Sequence, residues 1–131
     1  KLHSGTIDLA DCPDLGPVLF ALASQCEGTT VFTNAGRLRV KESDRIACME
    51  EEMGKMGCDI SSTRDTVTVR GRTAVRGNVE VDGHNDHRIV MALAVLAGCA
   101  DGPVTIHGAE AINKSYPGFF DDLRLTGMEV Q

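Results

Sequence analysis

The sequence predicts an α/β protein made of two β-α-β-α-β units, with an extra strand in the first, helices buried and sheets outside. Three observations carry this prediction. Strand-like and helix-like segments alternate along the whole chain. The same order of segments recurs at an offset of roughly 70 to 74 residues, the mark of an internal repeat. The helical segments are also more apolar than the strands, the reverse of a fold whose sheet is the buried layer.

Each element has its own signal. Residues 6–10 alternate as a short strand. Residues 14–26 read as a helix carrying Leu15, Val18, Leu19, Leu22 and Ala23. Residues 29–33 form a strand, and 42–56 a helix ended by Gly57. Residues 59–62 and 67–70 pair as strands around the turn Thr63-Arg64-Asp65. After a polar stretch, 71–77, the order returns: strand 78–81, helix 86–99, strand 104–107, helix 116–125 ended by Gly127, and strand 128–130. Matching residues fix the register of the repeat. Lys41-Glu42-Ser43 falls where Lys114-Ser115 falls, Ala21-Leu22-Ala23 matches Ala92-Leu93-Ala94, and Gly57-Cys58-Asp59-Ile60 matches Gly127-Met128-Glu129-Val130. The units therefore run over about 5–71 and 77–131. Residues 89–97 are apolar all round, which predicts a helix buried on every side. Strands 66–70 and 78–82 alternate instead, which predicts sheets with one wet face.

Composition narrows the function classes. The chain has 131 residues, enough for one domain with a real core. Its hydrophobic fraction of 42% and charged fraction of 24% are those of a soluble globular protein. A formal net charge of -6 argues against a nucleic-acid surface spread over the domain, yet leaves room for a local basic pocket. The apolar run 89–97 is too short to span a bilayer, and no signal peptide opens the chain, so no membrane role is expected. Cys12, Cys26, Cys48, Cys58 and Cys99 are odd in number and lack a CxxC pair, which points to reduced thiols in a cytoplasmic protein. The start at Lys1, without a methionine and already close to a strand, looks cut from something longer.

Four predicted helices begin with polar clusters: Asp11-Cys12-Pro13-Asp14, Lys41-Glu42-Ser43-Asp44-Arg45, His84-Asn85-Asp86-His87-Arg88 and Asn113-Lys114-Ser115-Tyr116-Pro117. Helix starts expose free N–H groups and a positive dipole end. Asp14, Asp44 and Asp86 suit such ends as caps. Lys41, Arg45, Arg88 and Lys114 go against the preference, a cation there being unfavourable by up to about 1 kcal/mol. Each cluster has a plain structural reading. Glu42 and Arg45 can be an intrahelical pair, Lys114 a surface lysine, Asp14 a cap, and His84-Asn85-Asp86-His87 lacks a third partner for zinc. His3 and His107 are isolated and read as inert. Taken together, the recurring cations and acids suit a pocket for a small phosphate or carboxylate.

At these residues the chain resembles the 5-enolpyruvylshikimate-3-phosphate (EPSP) synthase family. The motifs Leu38-Arg39-Val40-Lys41-Glu42-Ser43-Asp44-Arg45, His84-Asn85-Asp86-His87-Arg88 and Asn113-Lys114-Ser115-Tyr116-Pro117 carry the resemblance, in that order and spacing. It implies the inside-out enolpyruvyl transferase fold, here as part of a C-terminal domain. It also implies transfer of the enolpyruvyl group of phosphoenolpyruvate to the 5-hydroxyl of shikimate 3-phosphate, with release of phosphate and with no metal or organic cofactor. By motif position Arg45, Arg88 and Lys114 would hold phosphoenolpyruvate, and Lys41 the phosphorylated shikimate. Asp14 would help remove the 5-hydroxyl proton, Glu42 would move a proton at the methylene carbon, and His87 is a candidate supporting residue behind them. No role is carried onto Arg37, where some members have asparagine. The family's second domain, with its lysine, serine and arginine groups, has no counterpart in these residues, so an isolated chain is expected to be inactive; the family's third unit is also missing, which should expose apolar surface and favour self-association. Two rival readings stand beside this one: a non-catalytic anion-binding module, and a structural repeat whose charges are caps and salt bridges.

Overall fold

The computed structural model describes residues 4–131, so His3 lies outside the described residues. The first half of the chain builds a four-stranded sheet from β1 (Thr6–Asp8), β2 (Thr29–Thr33), β3 (Asp59–Ser62) and β4 (Val67–Arg70), in the order β1-β2-β4-β3. β1 runs parallel to β2, with Ile7 opposite Phe32. β4 is antiparallel to both its neighbours. The second half builds a two-stranded parallel sheet from β5 (Val79–Asp82) and β6 (Val104–His107). Helices α1 (Gly16–Ala23), α2 (Arg45–Lys55) and α3 (His87–Ala97) connect strands and α4 (Phe119–Leu125) follows the last one, with short 3₁₀ turns at Pro13–Leu15, Gly36–Val40 and Ala109–Lys114.

Burial follows the predicted inversion of layers. β2 and β4 alternate between buried and more exposed residues, as one-sided sheets must. α2 turns Ile46, Met49 and Met53 inward, and Met56 at its C-cap continues the row at spacings of three and four. α3 buries Ile89, Val90, Ala92, Leu93, Ala94 and Leu96, and packs against α1 and α2. Phe20 of α1 meets Phe32 of β2 edge to face at 4.8 Å. Fully burying a side chain of this size stabilises by about 1.5–3 kcal/mol, so this one core dominates the fold. α4 buries none of its residues fully, and leans Phe119 and Phe120 on a smaller cluster of Val90, Ala111 and Ile112.

The structure corrects several expectations. α3 is not buried on every side: Val95 is 43% exposed. Its open face adjoins α1, whose Val18 and Leu22 are also exposed, as is Leu15 just before it. Residues 14–26 do not form one helix, because Pro13 sets a 3₁₀ turn before α1 begins at Gly16. α2 begins at Arg45 rather than residue 42, since Asp44 takes the capping position. α4 begins at Phe119, because a residue before proline, here Tyr116, is disfavoured in helix. Residues 128–130 form no strand. Their counterpart β3 reaches its sheet only through β4, and β6 has no such neighbour among the described residues.

The polar stretch 71–77 is stitched down rather than loose. Gly71 N donates to Gly28 O at 2.8 Å, and Arg76 N to Met56 O at 2.7 Å. A Cβ on Gly71 would lie 1.7 Å from Cys26 O, so only glycine fits this approach.

Candidate active site

The fold brings three of the four polar clusters to one buried arginine. Arg45, the first residue of α2, is 2% exposed. Its guanidinium grips Asp86 with both edges, Nε to Oδ2 at 2.9 Å and Nη2 to Oδ1 at 3.2 Å. Nη1 also donates to Asp14 Oδ1 at 3.1 Å, and Nη2 to Glu42 Oε2. A planar fork with several fixed donors is the group suited to this task. The Glu42–Arg45 pair is present, but Glu42 lies before the helix, so it is not an intrahelical pair.

Asp86 is the hub on the other side. It is fully buried, caps α3 by accepting from Arg88 N at 3.0 Å, and accepts from Ser43 Oγ at 2.7 Å. Burial works to raise its carboxyl, but the hydrogen bonds from Arg45 and Ser43, the Arg45 charge and the Arg88 N–H outweigh burial and hold it below the usual carboxylate range. Asp14 is half exposed and does not act as a cap: it faces Lys41 Nζ at 3.5 Å as well as Arg45. Burial pushes its carboxyl up, and the charge and hydrogen bond of Lys41 with the charges of Arg45 and Arg88 together bring it below the usual range.

The remaining cations stand nearby. Lys41 follows the 3₁₀ turn Gly36–Val40, and Lys114 ends the turn Ala109–Lys114, so the repeat places them equivalently. Lys114 Nζ donates to Asn85 O, in the loop leading to Asp86. Arg88 lies in the first turn of α3 and lines a cleft of about 180 Å³ with Asp14, Pro17, Val18, Met91 and Phe119. Among the described residues its guanidinium has no hydrogen bond or ion pair. His87 makes no side-chain hydrogen bond to any of these groups, and its buried Nδ1 is unpartnered. A larger hollow, about 1000 Å³, lies away from them between α3, β6 and residues 120–131.

Two charged groups of the motifs have other duties. Arg39 donates to Asp44, Thr63 O and Arg64 O, tying the site loop to the β3–β4 turn. His84 Nε2 pairs with Glu52 Oε2 at 2.7 Å. Glu51 joins them within 4.8 Å, but the Lys55 ammonium holds Glu52 Oε1 at 2.8 Å. Sequence reasoning gave no duty to Ser43 or Glu52 and treated Asp86 only as a cap. The missed signal for Glu52 was an acid in phase with Met49 and Met56 on the buried face of α2.

The α/β fold with buried helices is that of enolpyruvyl transferases. Comparison with known proteins narrows the class. Residues 1–123 match the family described as EPSP synthase (3-phosphoshikimate 1-carboxyvinyltransferase), and the chain belongs to that family. It is 45% identical over 130 residues to the 3-phosphoshikimate 1-carboxyvinyltransferase of Clostridium kluyveri, covering 99% of this chain and 30% of the relative. It is 46% identical over 131 residues to that of Methanocella arvoryzae, covering 100% of this chain and 31% of the relative. The EPSP synthase structure of Acinetobacter baumannii superposes with a TM-score of 0.81 at 38% identity, covering 86% of this chain and 27% of that one. The enolpyruvyl transferase NikO of Streptomyces tendae shares the fold, with a TM-score of 0.81 at 18% identity over 98% of this chain and 29% of that one. The chain thus spans about 30% of the length of the curated relatives it matches. Its five cysteines are free, and among the described residues no helix is long and apolar enough to cross a membrane.

Proposed function

We propose that this chain, as two units of a C-terminal domain divided at about 5–71 and 77–131, forms one wall of a cytoplasmic enolpyruvyl-transfer site. The facing wall comes from sequence outside these residues. The substrates are phosphoenolpyruvate and shikimate 3-phosphate, and the product forms by addition and then elimination of phosphate. Arg45, Arg88 and Lys114 receive the carboxylate and phosphate of phosphoenolpyruvate, and Lys41 meets the phosphate on the shikimate ring. Asp14 accepts the 5-hydroxyl proton and Glu42 moves a proton at the methylene carbon.

One observation carries the reading: the Arg88 guanidinium sits in the cleft beside Asp14, at the positive end of α3, with no hydrogen bond or ion pair among the described residues. Asp14 is near enough for the two charges to interact, but no group bonds the guanidinium directly, so its donors are free to take a bound anion. The Arg45 contacts support the same chemistry. Asp14 and Glu42 now rest on its Nη atoms, where an arriving anion would compete with them and free two carboxylates for proton transfer. Asp14 is held ionised at neutral pH, the state a base requires.

Isothermal titration of the chain with phosphoenolpyruvate tests the site. Arg88→Ala is expected to weaken binding about tenfold or more, as loss of a charge-assisted contact would. Equal affinity of the two proteins would sink the proposal. With half a site the chain should release no phosphate when given both substrates, and turnover at the rate of an intact enzyme would contradict the missing wall.

A further inference from the structure

A second acidic group lies outside the proposed site and is tied to it through backbone strain. Glu52 is fully buried on α2. Its Oε1 accepts from Asp82 N at 3.0 Å and from Lys55, and its Oε2 pairs with His84. His84 N in turn donates to Asp82 Oδ1 at 2.7 Å. Burial pushes the Glu52 carboxyl up, and the bonds from Lys55, His84 and Asp82 N–H outweigh it and leave the group below its usual range.

The loop so anchored is strained. His84 and Asn85 have φ of 53° and 52°, two consecutive non-glycine residues in the left-handed region. Asparagine tolerates this conformation, so the strain falls on His84, which keeps it only where surrounding contacts over-determine it. The pair leads directly into Asp86, whose N donates to Gly83 O at 3.0 Å, and it presents Asn85 O to the Lys114 ammonium. Lys114, at the end of the Ala109–Lys114 turn beyond α3 and β6, has no carboxylate partner among the described residues.

We propose that Glu52 is a positioning residue for the anion site: through His84 it holds the 84–85 loop left-handed, so that the Asn85 carbonyl anchors Lys114 where the incoming anion needs it. Glu52 touches no substrate and acts through His84, Asn85 and Lys114 in turn. The inference rests on the anion-binding reading above.

A double-mutant cycle on the 131-residue chain tests it. Phosphoenolpyruvate affinity is measured by calorimetry for Glu52→Gln, Lys114→Ala and the pair, and exchange of the Asp86 amide by NMR. Glu52→Gln is expected to weaken binding about fivefold, within the range of effects carried by a contact network, and to add nothing once Lys114 is alanine. It should also speed exchange at Asp86 while leaving α1 unchanged. A merely structural loss would weaken binding equally in both backgrounds, and that result, or unaltered Asp86 exchange, overturns the role of Glu52 alone. No effect of Lys114→Ala overturns this inference alone, since the anion site itself is tested separately by Arg88→Ala. His84→Asn cuts the same link without touching the core, because asparagine tolerates positive φ, and it should reproduce the pattern if Glu52→Gln does not fold.

Discussion

Replacing Asp86 with alanine should reveal how the buried arginine is balanced. Asp86 supplies both of the acceptors that Arg45 Nε and Nη2 use in the interior, at 2.9 and 3.2 Å. Stripping one partner from a buried pair destabilises by about 3–5 kcal/mol. Arg45 keeps Asp14 Oδ1 at 3.1 Å and Glu42, both on the more open side, which places this contribution near the lower bound, about 3 kcal/mol. Loss of the α3 cap to Arg88 N adds about 1 kcal/mol, giving a total of about 4. Urea unfolding followed by circular dichroism measures it. A loss below about 1.5 kcal/mol would mean that Asp14 and Glu42 alone satisfy Arg45, and the hub would be refuted. Asp86→Asn adds a pH arm. The carboxyl titrates lower in the folded than in the unfolded protein, because its Arg45 and Ser43 bonds outweigh the effect of burial. Between those two values the unfolded chain binds the extra proton, so stability rises with pH. The contribution is fully present above the unfolded value, about 4, and is lost as pH falls through the folded one. Asp86→Asn should therefore flatten the acid limb of the stability curve, and an unchanged slope would contradict the depressed carboxyl.

Three further outcomes follow from particular contacts. Arg39→Ala removes the ties to Asp44, Thr63 O and Arg64 O, and should cost about 1–2 kcal/mol in urea while leaving phosphoenolpyruvate affinity unaltered, since Arg39 faces the hairpin turn. Gly71→Ala drives a Cβ to within 1.7 Å of Cys26 O and should lower stability by about 2 kcal/mol or more; a neutral result would mean the loop is not pinned there. The apolar strip of Leu15, Val18, Leu22 and Val95 supports association of the chain with a second copy at high concentration. Light scattering should detect it and Leu22→Lys should suppress it, whereas a monomer throughout would remove the proposal.

The fold was legible where a residue pattern has one physical solution. β2, β3, β4 and β6 fall at the expected positions, because alternation between glycine and polar breaks leaves a strand little freedom. The helix starts were less legible. Pro13, Asp44 and Pro117 each moved a boundary by two or three residues, because capping and proline geometry act one residue at a time. Strand 128–130 failed for another reason. Its sequence matches β3, but a strand exists only with a neighbour to bond, and that neighbour is not in its own residues.

By itself the sequence determined the repeat, the inward-facing helices and the cations at their starts, since periodicity and charge are written locally. Only the tertiary structure decided what each charge does. Of the residues Arg39, Lys41, Glu42, Asp44 and Arg45, two form a brace to the hairpin and three meet Asp14 or one another at the site. Asp86 is the α3 cap that the sequence predicts, and it is also the partner of a buried arginine more than forty residues away. The reason is desolvation: a charge in water needs no particular partner, whereas a charge enclosed by two repeats must find one, and which one depends on where the chain folds back.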